Sequence, residues 1–549
     1  MTYTFAFLFA LAASVLISPR LITVAKSLQL YDNPNGRKVH DTLIPRIGGI
    51  AIALSVVVAL LLMQQLEPGL SGFVLGTLIV FVIGIYDDLV GISWRAKFVG
   101  QLFAVSIALV MIHPDLSGIQ LFGAHLLIPG WLFYAGAVLV IIGGVNSLNL
   151  LDGLDGLASG VSLLIFIGYG YHAILSGNVI VILISLAFAG ALLGFLRYNF
   201  YPAKIFLGDS GSLFLGFALA TVPLLQIPSN GTLNLTIPCI LLSLPVLDTL
   251  RVIFTRLSLR RNPFLPDQTH LHHRLLAIGM RHDFTVLVMH GLTAMFVILS
   301  FLVGNASMLA IGILYAALVL ITLNLPTIVQ FLRRFQWLHT RYKKIEENYP
   351  LIGIQNIASF GANHGVIKHS ILGFLFTQFI LMDYHSILLY PLAFGLAALI
   401  LYFYFSSGTW SDHYLMIIVL FSVVYFQTIA QVNTPAMSSS LIEVISVANE
   451  VFIAFIFIGV SCVMISHDKK EKQAILNPLD YLVLILLFII FFMPLEQFGL
   501  HLERYNLAKA AIVYLGVKSL FAFSVKRNRR IIFSILILLI ATGGVGAFF

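Results

Sequence analysis

Asn146-Ser-Leu-Asn149-Leu-Leu-Asp152-Gly-Leu-Asp155-Gly-Leu-Ala-Ser-Gly160 sets two amides and two carboxylates between apolar runs long enough to cross a bilayer. Ionisable side chains beside membrane segments are costly and mark functional positions by default. In an ideal helix Asn146, Asn149, Asp152 and Asp155 follow one another at i,i+3, and each step of three falls about 60° short of a full turn. Four in a row drift around the helix and cannot face one point unless it breaks. Gly153 and Gly156 are the expected places of that break, which puts Asp152 and Asp155 on a glycine-bent end at the membrane boundary. By itself the stretch suggests a metal-phosphate site.

Of the 549 residues, 59% are hydrophobic and 10% charged, where a soluble domain carries roughly 25% charged residues. Apolar runs near the bilayer-spanning length number about seventeen, about eleven before residue 335 and about six after it. The chain therefore reads as an all-α polytopic membrane protein, with one membrane domain over 1–345 and an additional transmembrane region over 346–549. Cys239 and Cys462 lie inside apolar runs and imply neither a disulfide nor a zinc framework. The N-terminus has no positive stretch before its apolar run and reads as an uncleaved first span.

The formal charge of +8 records topology rather than a nucleic-acid partner. Basic residues alternate between loops: Lys26, Arg37, Lys38 and Arg46; Arg95 and Lys97; Arg197 and Lys204; Arg256, Arg260, Arg261, Arg274 and Arg281; Arg333, Arg334, Arg341, Lys343 and Lys344. The loops between them, near 65–72, 114–130, 175–179, 226–234 and 304–306, carry none. The positive-inside rule assigns the basic set to the cytoplasm.

Further polar blocks fall on that same side. Asp87-Asp88 closes the third span beside Arg95 and Lys97. The pair reads either as solvated charge or as metal-binding or catalytic groups, and acidic residues contribute little to topology. Asn199 precedes Phe206-Leu-Gly208-Asp209-Ser210-Gly211-Ser212, which reads as a capped helix start or as an anion site at a helix N-terminus. Asp248 and Arg251 form an i,i+3 pair. His270-Leu-His272-His273-Arg274 invites zinc, but the lack of nearby cysteine and the hard carboxylates elsewhere favour phosphate. Pro45-Arg46-Ile-Gly48-Gly49 allows close backbone approach.

Converging carboxylates repel unless a cation compensates them. An oxygen-rich set with open positions suits Mg²⁺, with Mn²⁺ as the alternative, shared with substrate phosphates. Arginine and histidine suit phosphate oxygens. No Walker A loop or dinucleotide fingerprint competes. Phosphate chemistry at the cytoplasmic end of membrane spans points to transfer between a soluble nucleotide compound and a lipid.

In order along residues 1–340, the blocks at 45–49, 87–88, 146–156, 206–212, 248–251 and 263–274 resemble those of the polyprenyl-phosphate N-acetylhexosamine-1-phosphate transferases, glycosyltransferase family 4. The form Pro263-Phe-x-x-Asp267-x-x-His270-x-His272-His273 is similar to the branch that uses UDP-N-acetylglucosamine. The resemblance implies a UDP-sugar donor, an undecaprenyl-phosphate acceptor, release of UMP and initiation of a lipid-linked cell-surface glycan. It places the site on the cytoplasmic face of a bacterial inner membrane, and two copies pairing as a homodimer are compatible with it. By motif position it makes Asp209 the principal Mg²⁺ ligand and Asp155 the second. Asp87 and Asp88 would orient or deprotonate the lipid phosphate, and Asp152 would face the donor. His270, His272, His273 and Arg274 would hold the diphosphate, Lys97 would contact phosphate, Phe206 would stack on uracil, Asn149 would shape the site and Asn199 would line the nucleotide pocket.

Rival readings are the same reaction with another UDP-HexNAc or a UDP-MurNAc-pentapeptide donor, and a transporter or lipid flippase. The acidic groups cluster at span ends rather than mid-span, which disfavours the transporter. The C-terminal third has no counterpart in a typical family member, and its isolated Asp383, His385, Glu443 and Glu450 read as packing or helix-pairing groups.

Overall fold

The computed structural model describes residues 2–28, 44–63, 68–114, 118–226, 231–260 and 269–348, with Leu482, Ile485, Leu486 and Ile489. In chain order the helices are α1 (Thr2–Ser27), α2 (Gly49–Met63), α3 (Pro68–Val90), α4 (Trp94–Ile112), α5 (Gly130–Leu151), α6 (Leu157–Ser176) and α7 (Val179–Asn199). They continue with α8 (Gly208–Thr221), α9 (Thr236–Leu241), α10 (Ser243–Ser258), α11 (Leu271–Ala277), α12 (His282–Phe301) and α13 (Met308–Asn348). Three short strands, β1 (Gly118–Leu121), β2 (Ala124–Leu126) and β3 (Thr232–Asn234), interrupt them. The chain divides into two compact units, Met1–Gln336 and Trp337–Phe549. Almost all of the second lies outside the described residues, and with it the six extra spans and Asp383, His385, Glu443 and Glu450.

Among the described residues nine helices are long and apolar enough to cross a membrane, against the eleven expected up to residue 335. One difference is α2, whose apolar stretch is shorter. The other lies at 236–258, where a single span is replaced by α9 and α10, and α10 carries Asp248, Arg251 and Arg256. An ionised helix of that kind is unfavourable in hydrocarbon unless its polar groups turn inward.

The interior lies where α6, α7 and α8 meet α3. Phe166 stacks on Phe188 at 4.3 Å and Phe188 on Phe214 at 5.4 Å, while Phe73 meets Phe188 and Phe81 meets Phe214 edge-on. Lipid tails are as apolar as leucine, so shape complementarity rather than water exclusion holds such helices together. Around this centre α1 lies along α7, α4 along α3, α5 along α8 and α12 along α6.

The all-α expectation needs one correction, a three-stranded sheet in the order β2-β1-β3, antiparallel then parallel. It joins two of the loops that lack basic residues, 114–130 and 226–234. Extended loop backbone satisfies its N–H and C=O groups by pairing, a signal too short to register as strand periodicity. The sheet follows the C-terminus of α4, precedes the N-terminus of α5 and follows the segment that leaves α8. The opposite ends of α4, α5 and α8 carry Lys97, Asp152 and Asp209, so the loops without basic residues and these three groups occupy opposite ends of the bundle.

Candidate active site

The acidic stretch breaks as its helical geometry requires. Helix α5 stops at Leu151, Asp152 caps it, and α6 resumes at Leu157. Before the break, Asn146 donates to Gln101 Oε1 at 3.0 Å. One turn on, Asn149 Nδ2 donates to Asp209 Oδ1 at 2.7 Å and to Ser212 Oγ at 2.8 Å. The two amides therefore serve different neighbours, and only Asn149 touches the second acidic block.

Asp209 sits in the first turn of α8, where the helix dipole favours a negative group. Its other oxygen receives Lys97 Nζ at 2.9 Å, and the same ammonium forms an ion pair with Asp87 Oδ2. Two carboxylates from α3 and α8 thus converge on one cation from α4. Asp87 Oδ1 accepts the Ile92 N–H at 2.9 Å, which closes the end of α3. Asp88 takes a different part: Oδ1 accepts the Asp209 N–H at 2.8 Å and Oδ2 the Ser210 N–H at 2.9 Å. These are N–H groups that a helix start leaves without an internal partner. Gly208 makes the approach feasible, because its φ of +74° suits glycine and a Cβ there would meet the Asp88 oxygens.

The Pro45–Gly49 block binds the same loop by its backbone. Phe206 N–H donates to Pro45 O at 2.8 Å, Gly48 N–H to Phe206 O at 3.0 Å, and Gly49 N–H to Leu207 O at 2.9 Å. Half-buried Phe206 is fixed by this clasp. Asp152 feels several of these charges at once. Burial foremost, then the Asp209 charge, pushes its carboxyl up to about 8, with Arg46 pulling the other way and Asp88 and Asp155 adding to the rise. Asp155, 4% exposed, accepts the Ala203 N–H on Oδ2 at 2.9 Å. Asn199, 3% exposed, accepts from Ser159 and donates to Ile205 O, so its amide is engaged in the interior behind the Phe206 loop.

The histidine block starts α11, and Asp248 of α10 organises it. Asp248 Oδ1 accepts the Leu271 N–H at 2.7 Å, and Oδ2 meets His270 Nδ1 at 3.0 Å, with both side chains buried. The i,i+3 reading that pairs Asp248 with Arg251 is corrected: the residue 22 positions on is its partner, because α10 brings Asp248 against the start of α11. His272 lies 1% exposed, with neither ring nitrogen hydrogen-bonded among the described residues. Burial first and His273 next hold its imidazole down to about 3, so it is neutral at ordinary pH and carries one N–H donor rather than a charge. A Cβ on Gly153 would collide with His272 Nε2, so this ring and the acidic turn meet directly. The His273 ring packs on His272 at 4.2 Å, and Arg274 is half-buried on the same helix.

Asp87, Asp88, Lys97, Asn149 and Asp209 are linked by direct contacts. Asp152 joins them through charge, and the histidines join through Gly153. Two residues not singled out by the sequence also contribute, Gln101 and His282, whose Nε2 accepts the Asp155 N–H at 3.3 Å. A histidine at a span end carries no motif signal of its own.

The donor set fits a hard divalent cation. Lys97 already marks a position where two carboxylates share one positive charge. Among the described residues no three His, Cys, Asp or Glu side chains gather in metal-holding geometry. A cation there would draw on one or two carboxylates with substrate oxygens completing its shell, which is how Mg²⁺ commonly binds.

A model of glycosyl transferase family 4 matches residues 70–226. A probable undecaprenyl-phosphate N-acetylglucosaminyl 1-phosphate transferase of Bacillus subtilis is 36% identical over 305 residues, 55% of this chain and 85% of the relative. A decaprenyl-phosphate N-acetylglucosaminephosphotransferase of Mycobacterium tuberculosis is 34% identical over 301 residues, 49% and 74% of the two chains. A phospho-N-acetylmuramoyl-pentapeptide-transferase of Bacillus subtilis is 31% identical over 298 residues, 50% and 89%.

Proposed function

The chain belongs to glycosyl transferase family 4, among the polyprenyl-phosphate N-acetylhexosamine-1-phosphate transferases, and within that class we propose that it moves N-acetylglucosamine 1-phosphate from UDP-N-acetylglucosamine to undecaprenyl phosphate, releasing UMP. The observation that carries this reading is the convergence of Asp87 and Asp209 on Lys97 at the N-terminus of α8. The donor sugar is supported by the form of the 263–273 block and by the higher identity to the Bacillus relative named for N-acetylglucosamine than to the one named for muramoyl-pentapeptide. The alternating basic loops support a site on the cytoplasmic face of a bacterial membrane, where this transfer initiates a lipid-linked glycan.

Asp209 is the principal residue to hold Mg²⁺. Asp87 is joined to it through Lys97, and Asp155, with one oxygen engaged by Ala203, is the third candidate. When bound, the ion would neutralise charge on phosphoryl oxygens. Lys97 and the N-terminus of α8 add positive potential at the same place. A phosphate monoester has a second pKa near about 6, so the acceptor is largely dianionic at neutral pH and a strong base is not required. Asp87 therefore orients the acceptor, and Asp88 serves by holding the backbone of Asp209 and Ser210. An acceptor oxygen bonds to the β-phosphorus as that phosphorus separates from the bridging oxygen, and UMP leaves with the bridging oxygen. Asp152 and the neutral His272, which lies against Gly153, face the donor, while His270, His273 and Arg274 complete the diphosphate contacts and Phe206 takes the uracil ring. Asn149 shapes the site through Asp209, and Asn199 holds the Phe206 loop.

Purified full-length protein with undecaprenyl phosphate and Mg²⁺ should release UMP fastest from UDP-N-acetylglucosamine in a panel of UDP-HexNAc donors. A faster donor in the panel would reassign the sugar, and no release from any donor by folded protein would refute the reaction.

A further inference from the structure

Helix α12 lies outside every sequence block that carries the resemblance, yet two of its histidines hold consecutive residues of the acidic turn. His282 Nε2 accepts the Asp155 N–H at 3.3 Å. About two turns further on, His290 Nε2 lies 3.2 Å from Gly156 O. A carbonyl can only accept and a backbone amide can only donate, so the two rings must be opposite tautomers. His290 carries its proton on Nε2, and His282 presents a lone pair there. The rings are themselves fixed. Tyr201 stacks on His282 at 4.6 Å, and Phe200 meets the 2%-exposed His290 edge-on at 6.2 Å. Gly160 leaves room for the His290 ring, which a Cβ there would strike.

We propose that His282 and His290 are positioning residues that clamp the Asp155–Gly156 backbone and thereby aim the Asp152 and Asp155 carboxylates. The claim rests on the transferase reading for what the turn does and on geometry alone for the clamp. The turn lies between two helix ends: Asp152 N–H bonds back to Asn149 O at 3.3 Å, and Gly156 O accepts the Gly160 N–H of α6 at 3.0 Å. From α12, His282 adds a partner for the Asp155 N–H and His290 a second donor to Gly156 O, so a third helix ties the turn that joins α5 to α6. Helix α12 also follows α11 closely in the chain, so the element that holds the acidic turn is joined directly to the one that carries the histidine block. A displacement of the turn of about 1 Å would be enough to cost up to roughly 10²-fold in rate without any lost contact to substrate.

Two measurements on purified full-length protein test this: hydrogen exchange of peptides covering 152–157, and steady-state transfer from UDP-N-acetylglucosamine. His282→Ala, at the half-buried end of α12, should speed exchange in 152–157 by roughly tenfold, the loss of about one hydrogen bond. It should leave exchange at 210–218 unchanged and lower kcat by roughly tenfold or more with KM for the lipid acceptor unaltered. His290→Phe should do the same, and His282→Gln and His290→Gln, which restore an acceptor and a donor, should recover most of both effects. Unchanged exchange at 152–157 in folded His282→Ala overturns the clamp, as does a kcat within twofold of wild type. A wild type that transfers nothing from any UDP-HexNAc refutes the transferase reading, while the exchange result still decides the clamp.

Discussion

Asp88 Oδ1 accepts the backbone N–H of Asp209 at 2.8 Å, so the carboxylate at the end of α3 holds the helix start from which Asp209 projects. With Oδ2 on the Ser210 N–H, both of its oxygens are spent on backbone groups that nothing else in α8 satisfies. Of two adjacent aspartates, one faces Lys97 and the other builds the platform under Asp209.

That division gives the adjacent pair different mutational signatures. Asp88→Ala should lower unfolding stability by about 1–3 kcal/mol, because it strands two N–H groups, and should lower turnover with it. Asp87→Asn should leave stability nearly unchanged and act on turnover. Thermal unfolding in detergent, run beside UMP release, separates the two, and equal stability losses would refute the division.

Lys97 compensates two carboxylates, so its removal should expose their repulsion. In metal-free protein Lys97→Met should be less stable than wild type, and Mg²⁺ should raise its melting temperature by more than it raises that of wild type, because the ion takes over the lost charge. An equal Mg²⁺ response in the two proteins would argue against a metal position between Asp87 and Asp209.

The raised pKa of Asp152 carries a signed prediction. Folded protein keeps this carboxyl protonated up to about 8, whereas the unfolded chain releases the proton near about 4. Between these values the folded state binds more protons, so stability falls as pH rises. The stabilisation is full below about 4 and lost through about 8. Asp152→Asn, which cannot ionise, should therefore gain stability relative to metal-free wild type between pH 6 and 9, and melting curves across that range check the sign.

Asp248 meets His270 on Nδ1, and in the proposed reaction Nε2 faces the donor diphosphate. Asp248→Asn should disturb that tautomer and lower kcat by roughly 10–100-fold, the usual effect of removing a ligand's supporting partner. Asp248→Glu should recover part of it. A kcat for Asp248→Asn within twofold of wild type would leave Asp248 as a helix cap only.

Much of this was legible in the sequence because membrane solvation leaves few polar residues to account for. The drift of i,i+3 positions required a break, expected at Gly153 and Gly156, and the structure ends α5 at Leu151 and starts α6 at Leu157. Alternating basic loops placed Asp87, Asp152 and Asp209 at one end, and the meeting of loops 114–130 and 226–234 in one sheet agrees. Periodicity is silent on long-range partners. It paired Asp248 with the nearby Arg251, whereas the observed partner depends on how α10 meets α11. It gave Asp87 and Asp88 one role, because adjacent residues are alike in sequence and diverge only by facing different elements. It gave no weight to His282 and His290, whose partners are backbone atoms. The division of 236–258 into α9 and α10 was hidden for a related reason: mean apolarity does not report where a helix breaks.

The most direct test of the central claim follows the β-phosphorus. Full-length protein is supplied with undecaprenyl phosphate, Mg²⁺ and UDP-N-acetylglucosamine labelled at the β-phosphate, and lipid and aqueous phases are separated. Wild type should carry the phosphorus label into the lipid phase in step with UMP release. Asp209→Asn, folded as wild type by thermal unfolding, should carry it at least about 10²-fold more slowly. Label that stays in the aqueous phase with wild type, or Asp209→Asn transferring at the wild-type rate, would contradict the account.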